Sequence, residues 1–273
     1  MKVTQSTLLV PLAGAGQRFA DAGYVDPKPL VNVSGLPMII QAARAMPQSQ
    51  TKVFLCRKDH LVRYPLEKTL KQYYTDAQII TVEALTAGQA STCLLAEGAV
   101  PEANILHIGA CDNSMAYHKN RFLEVFESSA TDAVIWTFRG NPTVAINPKM
   151  YGWVDTDSTG RAKRVSCKVP ISAEPLKDHA VVGAFSFRRA GDFFSDAKAM
   201  IAQNRRINNE FYVDECMNLL IEAGLKVRVF QVDHYICWGT PDDLRTFEYW
   251  QRFFDQHPNH PYKTKKDPNY VSN

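Results

Sequence analysis

The stretch Leu8-Leu9-Val10-Pro11-Leu12-Ala13-Gly14-Ala15-Gly16-Gln17-Arg18-Phe19, with Pro27-Lys28-Pro29-Leu30 close behind it, decides how this chain is read. An apolar segment enters a turn of small residues, and two cations follow at fixed points. Glycine lets main-chain N–H groups close on an anion with no Cβ in the way. Gly14 and Gly16 stand at the mouth of a strand expected over residues 7–12. Arg18 carries a planar fork that spans two phosphate oxygens, and Lys28 is a compact point charge. Pro27 and Pro29 restrict the backbone on both sides of Lys28 and so hold its ammonium in place. Such a run lays main chain against a polyphosphate, with Leu12, Ala13, Gly14, Ala15 and Gly16 as the contact segment. Alone, Gly14-Ala15-Gly16 also reads as a common tight turn; the two cations set it apart. It is not a dinucleotide fingerprint, because Phe19 stands where the third glycine belongs, and no Gly-Lys-Ser/Thr closes it as a Walker loop.

Outward from this turn, apolar runs and helical periodicity alternate. Strands are expected at 7–12, 51–56, 77–82, 104–108 and 133–138, and helical segments at 38–45, 60–73, 88–99 and 121–128. That alternation predicts an α/β fold with a mostly parallel sheet flanked by helices. Ligands of such sheets gather beyond the carboxyl ends of the strands. Four segments fall there: the Gly14 turn, the residues before Gly88, the Asp112 turn and the region after Phe138. From residue 139 prolines and glycines punctuate short runs, which predicts hairpins. A strand at 181–187, helices at 191–203 and 212–223, and a strand at 227–232 follow. The expected organisation is one domain over 1–248, with a nucleotide-binding half (1–138) and an acceptor-binding half (139–248). Residues 249–273 form a helix end and a polar tail.

The 273 residues are 45% hydrophobic with a net charge of +3. That balance does not call for nucleic acid or an anionic membrane as partner. No run reaches the ~20 apolar residues of a membrane span. Six cysteines show no C-x-x-C pair, and the N-terminal residues have no signal-peptide core; both lead to a cytoplasmic expectation.

Further residues carry candidate chemistry. Asp112 follows the apolar run Leu106-His107-Ile108 and offers a hard oxygen of the kind Mg²⁺ takes. Asp112-Asn113 also reads as a plain turn pair. In Leu85-Thr86-Ala87-Gly88-Gln89-Ala90, Gly88 permits close approach of a flat base, and the Gln89 amide both donates and accepts, as a pyrimidine edge requires. A helix start with an exposed Gln89 is the alternative. Thr240-Pro241-Asp242-Asp243 reads as a capped helix start. The stripe Leu244, Phe247, Trp250, Phe253 and Phe254 after it suits packing on the body or a homo-oligomer contact.

Residues 12–39 resemble the signature of the sugar nucleotidyltransferases, the nucleotide-sugar pyrophosphorylases. These carry a G-x-G-x-R loop, then P-K-P-L, then V-x-G-x-P-[ML]-[IL], here Val33-Ser34-Gly35-Leu36-Pro37-Met38-Ile39. The resemblance extends over most of residues 7–248. It implies a glycosyltransferase-A-like, Rossmann-type α/β/α fold. The implied reaction joins a nucleoside triphosphate to a sugar 1-phosphate or similar small phosphomonoester and releases pyrophosphate, with Mg²⁺ as cofactor. Family habit sets such enzymes in polysaccharide precursor supply. By the same resemblance, Arg18 and Lys28 hold the triphosphate, Gly88 and Gln89 receive the base and Asp112 binds the metal. Lys168, in Val165-Ser166-Cys167-Lys168-Val169-Pro170, contacts the acceptor phosphate, while Gly183 and Glu210 lie beside the acceptor. Asp214 and Glu215 read either as part of that segment or as first-turn acids of a helix. One departure stands out: the family's second metal-binding aspartate falls on Cys237, a soft thiol where Mg²⁺ is hard. Either the metal site rests on Asp112 and substrate oxygens, or Asp233, two residues before the segment, reaches in. Cys237 leaves room for a non-catalytic nucleotide or sugar-phosphate sensor, and the shared fold for a nucleotide-sugar-dependent glycosyltransferase.

Overall fold

Residues 8–12 carry apolar side chains on successive positions, so the strand they form needs cover on both faces. β1 (Ser6–Leu12) is indeed buried along nearly its whole length. The computed structural model describes residues 5–257, 259 and 261; the lysines at 263, 265 and 266 of the expected polar tail lie outside the described residues. After β1 come α1 (Gln17–Asp21), two short strands β2 (Asn32–Val33) and β3 (Leu36–Pro37), and α2 (Met38–Ala45). Then follow β4 (Thr51–Arg57), α3 (Lys58–Arg63), α4 (Leu66–Tyr73), β5 (Gln78–Val82) and α5 (Gln89–Leu94). Next are β6 (Ile105–Ile108), β7 (Asn113–Ala116), α6 (Lys119–Phe126) and β8 (Ala133–Phe138). α7 (Thr143–Ile146), β9 (Gly152–Thr156), β10 (Ala162–Cys167), β11 (His179–Phe187) and α8 (Ala190–Ala202) form the next stretch. The last elements are α9 (Val213–Glu222), β12 (Val227–Gln231), β13 (His234–Cys237) and α10 (Pro241–Gln256).

Nine strands make one sheet. β5, β4, β1 and β6 run parallel, as do β8 and β12. β11 lies antiparallel to β6, β8 and β9, and β10 pairs antiparallel with β9. Only β10 and β11 therefore run against the rest, and the expected mixed, mostly parallel α/β fold is what the chain adopts. The sheet takes strands from both sides of residue 138, and α10 continues through residue 248 without a break.

Alternation along the strands sends side chains into two cores. Leu9 and Ile135 join α5, α8 and α9 on one face through Ala90, Phe193 and Cys216. Leu8, Val10, Trp136 and Phe138 meet Ile39, Leu66 and Phe122 on the other. A smaller cluster of Phe19, Val31, Val33, Met38, Trp238 and Leu244 seats α10 against the N-terminal turn. Each fully buried Phe or Leu in these clusters contributes about 1.5–3 kcal/mol.

Two helical expectations change in detail. The segment 60–73 is two helices, because Pro65 interrupts the ladder between α3 and α4. The segment 88–99 is α5 followed by a 3₁₀ turn over Glu97–Ala99, with Gly98 inside the turn. The β7–β13 ribbon was not expected, since its short, partly polar strands find each other only across the folded body.

Candidate active site

β1 ends at Leu12, and its last residues turn inward before the loop opens. The Leu12 and Ala13 side chains sit in opposite cores, so only their main chain is left for a ligand. Gly14 has open space where a Cβ would project, and Gly16 takes φ +65 as it caps α1. Lys28 lies on a 3₁₀ turn (Lys28–Leu30) whose Cβ is 3.5 Å from the point a Gly16 Cβ would occupy. The ammonium is thereby packed against the glycine turn, over the Phe19 ring at 5.4 Å.

One cavity of about 320 Å³ gathers Arg18, Lys28, Gln89, Asp112, Lys168 and Gly183. Asn113, Tyr151, Tyr212, Asp214, Tyr235 and Cys237 also line it. It sits beyond the carboxyl ends of β1 and β6, where a doubly wound sheet leaves a crevice. A larger groove of about 1150 Å³, walled by Arg44, His107 and Phe122 among others, collects none of the candidate residues.

Lys28 and Asp112 are joined directly: Nζ donates to Oδ2 at 2.6 Å and to the Gly239 carbonyl at 3.1 Å. Burial pulls the Lys28 ammonium down, but attraction to Asp112 and their hydrogen bond outweigh it and raise the pKa overall. Arg18, by contrast, has no ion pair among the described residues and is exposed at the cavity mouth.

Cys237 occupies the place beside Asp112. Its strand β13 pairs with β7 so that Cys237 opposes Asn113, and the Trp238 amide donates to the Asp112 carbonyl at 2.9 Å. Burial, with the Asp243 carboxylate nearby, pushes the thiol up to about 12, so it stays neutral. Asp233 does not replace it: Asp233 pairs with Arg121 at 2.7 Å at the opposite end of β13. Among the described residues no group of three or more His, Cys, Asp and Glu is placed to hold an ion. A magnesium ion accompanying a triphosphate needs one or two carboxylates plus phosphate oxygens. Asp112 fits that need as the single carboxylate, and the neutral thiol does not.

The base-side turn is built differently from its sequence reading. Gly88 has φ +116, and a Cβ there would lie 2.6 and 2.7 Å from the Phe211 N and O. The Phe211 amide donates to the Ala87 carbonyl at 2.7 Å, and the Ala90 amide donates to the Phe211 carbonyl at 3.0 Å. Glycine is thus required at 88 by the Phe211 main chain, whatever a base requires. Gln89 follows on the cavity side.

Lys168, expected to contact an acceptor phosphate, is in the left-handed region at φ +64, a strained state for a residue with a Cβ. Its amide donates to the Tyr151 carbonyl at 3.0 Å, and Nζ donates to the Met150 carbonyl at 2.5 Å and sits 5.3 Å over the Tyr212 ring. Gly183, at φ +91, sits where β11 shifts register against β8, with Asn113 Nδ2 donating to the Val182 carbonyl at 2.9 Å. Glu210 is exposed, accepts from the Tyr212 hydroxyl and does not line the cavity. Asp214, four residues on, does. Both acids of the α9 first turn are buried, but Glu215 is held by Arg205 at 2.5 Å while Asp214 faces the cavity. The sequence signal for Asp214 was an acid in the first turn of a helix, which is also what a solvated helix start shows.

No family model matches the chain, and no curated protein matches it in sequence. Solved structures match it in fold. A nucleoside-diphosphate-sugar pyrophosphorylase from Vibrio cholerae RC9 superposes with a TM-score of 0.70 at 20% identity, over 88% of this chain and 98% of that one. The inositol-1-phosphate CTP transferase from T. maritima gives 0.69 at 13% identity, over 93% and 98%. A UDP-glucose pyrophosphorylase from Acinetobacter baumanii gives 0.68 at 16% identity, over 93% and 95%. The chain is built on the fold of the sugar nucleotidyltransferases.

Proposed function

We propose that the protein is a nucleotidyltransferase that joins a nucleoside triphosphate to a small phosphomonoester. A phosphate oxygen of the acceptor attacks the α-phosphorus in line. The new P–O bond forms as the bond to the β-phosphate oxygen breaks, and the electron pair leaves with pyrophosphate. No covalent enzyme intermediate is needed, so positioning and charge stabilisation are the whole of the catalysis.

The observation that carries this reading is the meeting of Arg18, Lys28, Asp112 and Lys168 on one small cavity. These residues come from four separated segments; two anionic reactants need the three cations, and Asp112 supplies the carboxylate for a metal ion. Arg18, free of ion pairs among the described residues, takes the β,γ-phosphates. Lys28 steadies charge near the α-phosphate, and Lys168 orients the acceptor phosphate. Asp112 would hold Mg²⁺, which supplies neutralisation of phosphate charge when bound. The Gln89 amide suits a pyrimidine edge. Six free cysteines fit a reducing compartment such as the cytoplasm.

The test is a matrix of triphosphates against phosphorylated acceptors with pyrophosphate release as readout. Release that depends on both substrates is the expected result; a matrix with none would refute the reading. Cys237 beside Asp112 favours a second reading, a sensor that binds nucleotide without turnover. Exchange of labelled pyrophosphate into triphosphate separates the two, because a sensor never exchanges.

A further inference from the structure

Three tyrosines, Tyr151, Tyr212 and Tyr235, wall the cavity beyond the phosphate cations. Each hydroxyl is already engaged. Tyr151 donates to Thr143 Oγ1 at 3.3 Å, Tyr212 donates to Glu210, and Tyr235 is hydrogen-bonded to Cys237. The Asn113 amide nitrogen is likewise held by the Val182 carbonyl. Away from the nucleotide-side residues, each of these hydroxyls has its proton committed and can only accept, which leaves Lys168 as the cation and Asp214 as the charged acceptor that face an incoming molecule.

Asp214 is only 8% exposed, yet it reaches the cavity. Among the described residues its carboxylate receives no hydrogen bond from another residue; its one hydrogen bond is from its own amide. Burial pushes its pKa up, against the pull of Lys168. The space for it is purpose-made, since a Cβ on Gly152 would overlap Asp214 Oδ1. A buried carboxylate whose one donor is its own amide is under-satisfied, and a ligand that brings a further donor relieves the cost. Lys168 cannot fully serve, because its Nζ is turned to the Met150 carbonyl.

Resting on the nucleotidyl-transfer reading above, we propose that Asp214 receives the far end of the acceptor, and that the acceptor is a small phosphomonoester ending in an ammonium group. Lys168 takes its phosphate and Asp214 its ammonium, with tyrosine rings flanking the cation. A hexose phosphate presents several hydroxyls that both donate and accept. The tyrosine wall and Asp214 offer acceptors, which matches a charged group that only donates.

The experiment measures pyrophosphate release from CTP, UTP and dTTP with three acceptors: phosphoethanolamine, its uncharged isostere propyl phosphate, and glucose 1-phosphate. Wild type is expected to favour phosphoethanolamine over propyl phosphate by at least ~100-fold in kcat/KM, since an unmatched buried polar group rejects the analogue that lacks its partner. Asp214→Asn is expected to bring that ratio to within ~10-fold, the scale left when a charge partner is removed. Gly152→Ala, which intrudes on the carboxylate, should lower the ratio in the same direction. The wild-type comparison decides the matter even if a variant does not fold. A preference for glucose 1-phosphate, or a ratio unchanged in Asp214→Asn, overturns the inference while leaving nucleotidyl transfer standing. No pyrophosphate with any of these pairs overturns the ammonium acceptor, and only an empty full matrix of triphosphates and acceptors overturns nucleotidyl transfer as well.

Discussion

At the scale of single residues, the cavity depends on a few side chains whose surroundings leave little latitude. In the proposed reaction Arg18 would meet charge that grows on the departing pyrophosphate and Lys28 charge near the α-phosphate, so their loss would weigh on the transition state more than on binding. Arg18→Ala and Lys28→Ala are each expected to lower kcat by at least ~100-fold, on the scale of a lost oxyanion donor. Near wild-type pyrophosphate release in either variant would remove that residue from the scheme. Gly88 is constrained by packing. A methyl group at φ +116 would press on the Phe211 main chain at 2.6 Å. Gly88→Ala is therefore expected to cost about 1–3 kcal/mol, as overpacking does, seen as a lower denaturant midpoint at unchanged slope. An unchanged midpoint would show that the 87–90 and 210–211 segments yield freely.

At the scale of elements, α10 links stability to the candidate site. Thr240 Oγ1 accepts from the Asp243 amide at 3.1 Å, and Asp243 Oδ2 accepts from the Thr240 amide at 3.0 Å, a complete capping box. The residue before it, Gly239, gives its carbonyl to Lys28. Thr240→Ala should cost about 1 kcal/mol of stability. It should also lower kcat, because the carbonyl that positions the ammonium is no longer fixed. Thermal melting and steady-state rates read the two effects separately, and a stability loss with kcat intact would disconnect the helix start from the site. The β7–β13 ribbon acts in the same way: its register sets Cys237 beside Asp112, and one step of slip would present a different side chain.

At the scale of the whole molecule, acid is the expected weak point. His107 lies between β6 and α6 in the packed interior, its Nδ1 2.7 Å from Ser186 Oγ and its ring against Phe122 and Phe126. Burial lowers its pKa from 6.5 to about 3. His179 is lowered to about 4, by burial first and then by Arg139. The unfolded chain binds protons at these sites from about pH 6.5 downward, while the folded chain resists until far lower. Stability is thus complete above about pH 6.5 and falls as pH drops toward 3. Denaturant midpoints taken from pH 7 to pH 4 should decline, and His107→Gln should flatten that decline while costing some stability at neutrality. A midpoint independent of pH over this range would contradict the burial of both rings.

The sequence by itself determined the alternation of strands and helices, and with it the parallel frame, because apolar periodicity is written locally. It also singled out Arg18 and Lys28, by a small-residue turn with cations at fixed spacing, while Asp112 and Lys168 stood out only through the family resemblance. Tertiary structure decided what depends on distant partners. It alone turned Asp214 into the cavity and left Glu210 on the surface, because one Gly152 far upstream makes the space. It alone set Lys28 on Asp112 and turned Asp233 to Arg121. A local pattern tells which residues carry charge, but which charges share a buried space follows only once the sheet has brought separate loops to one end.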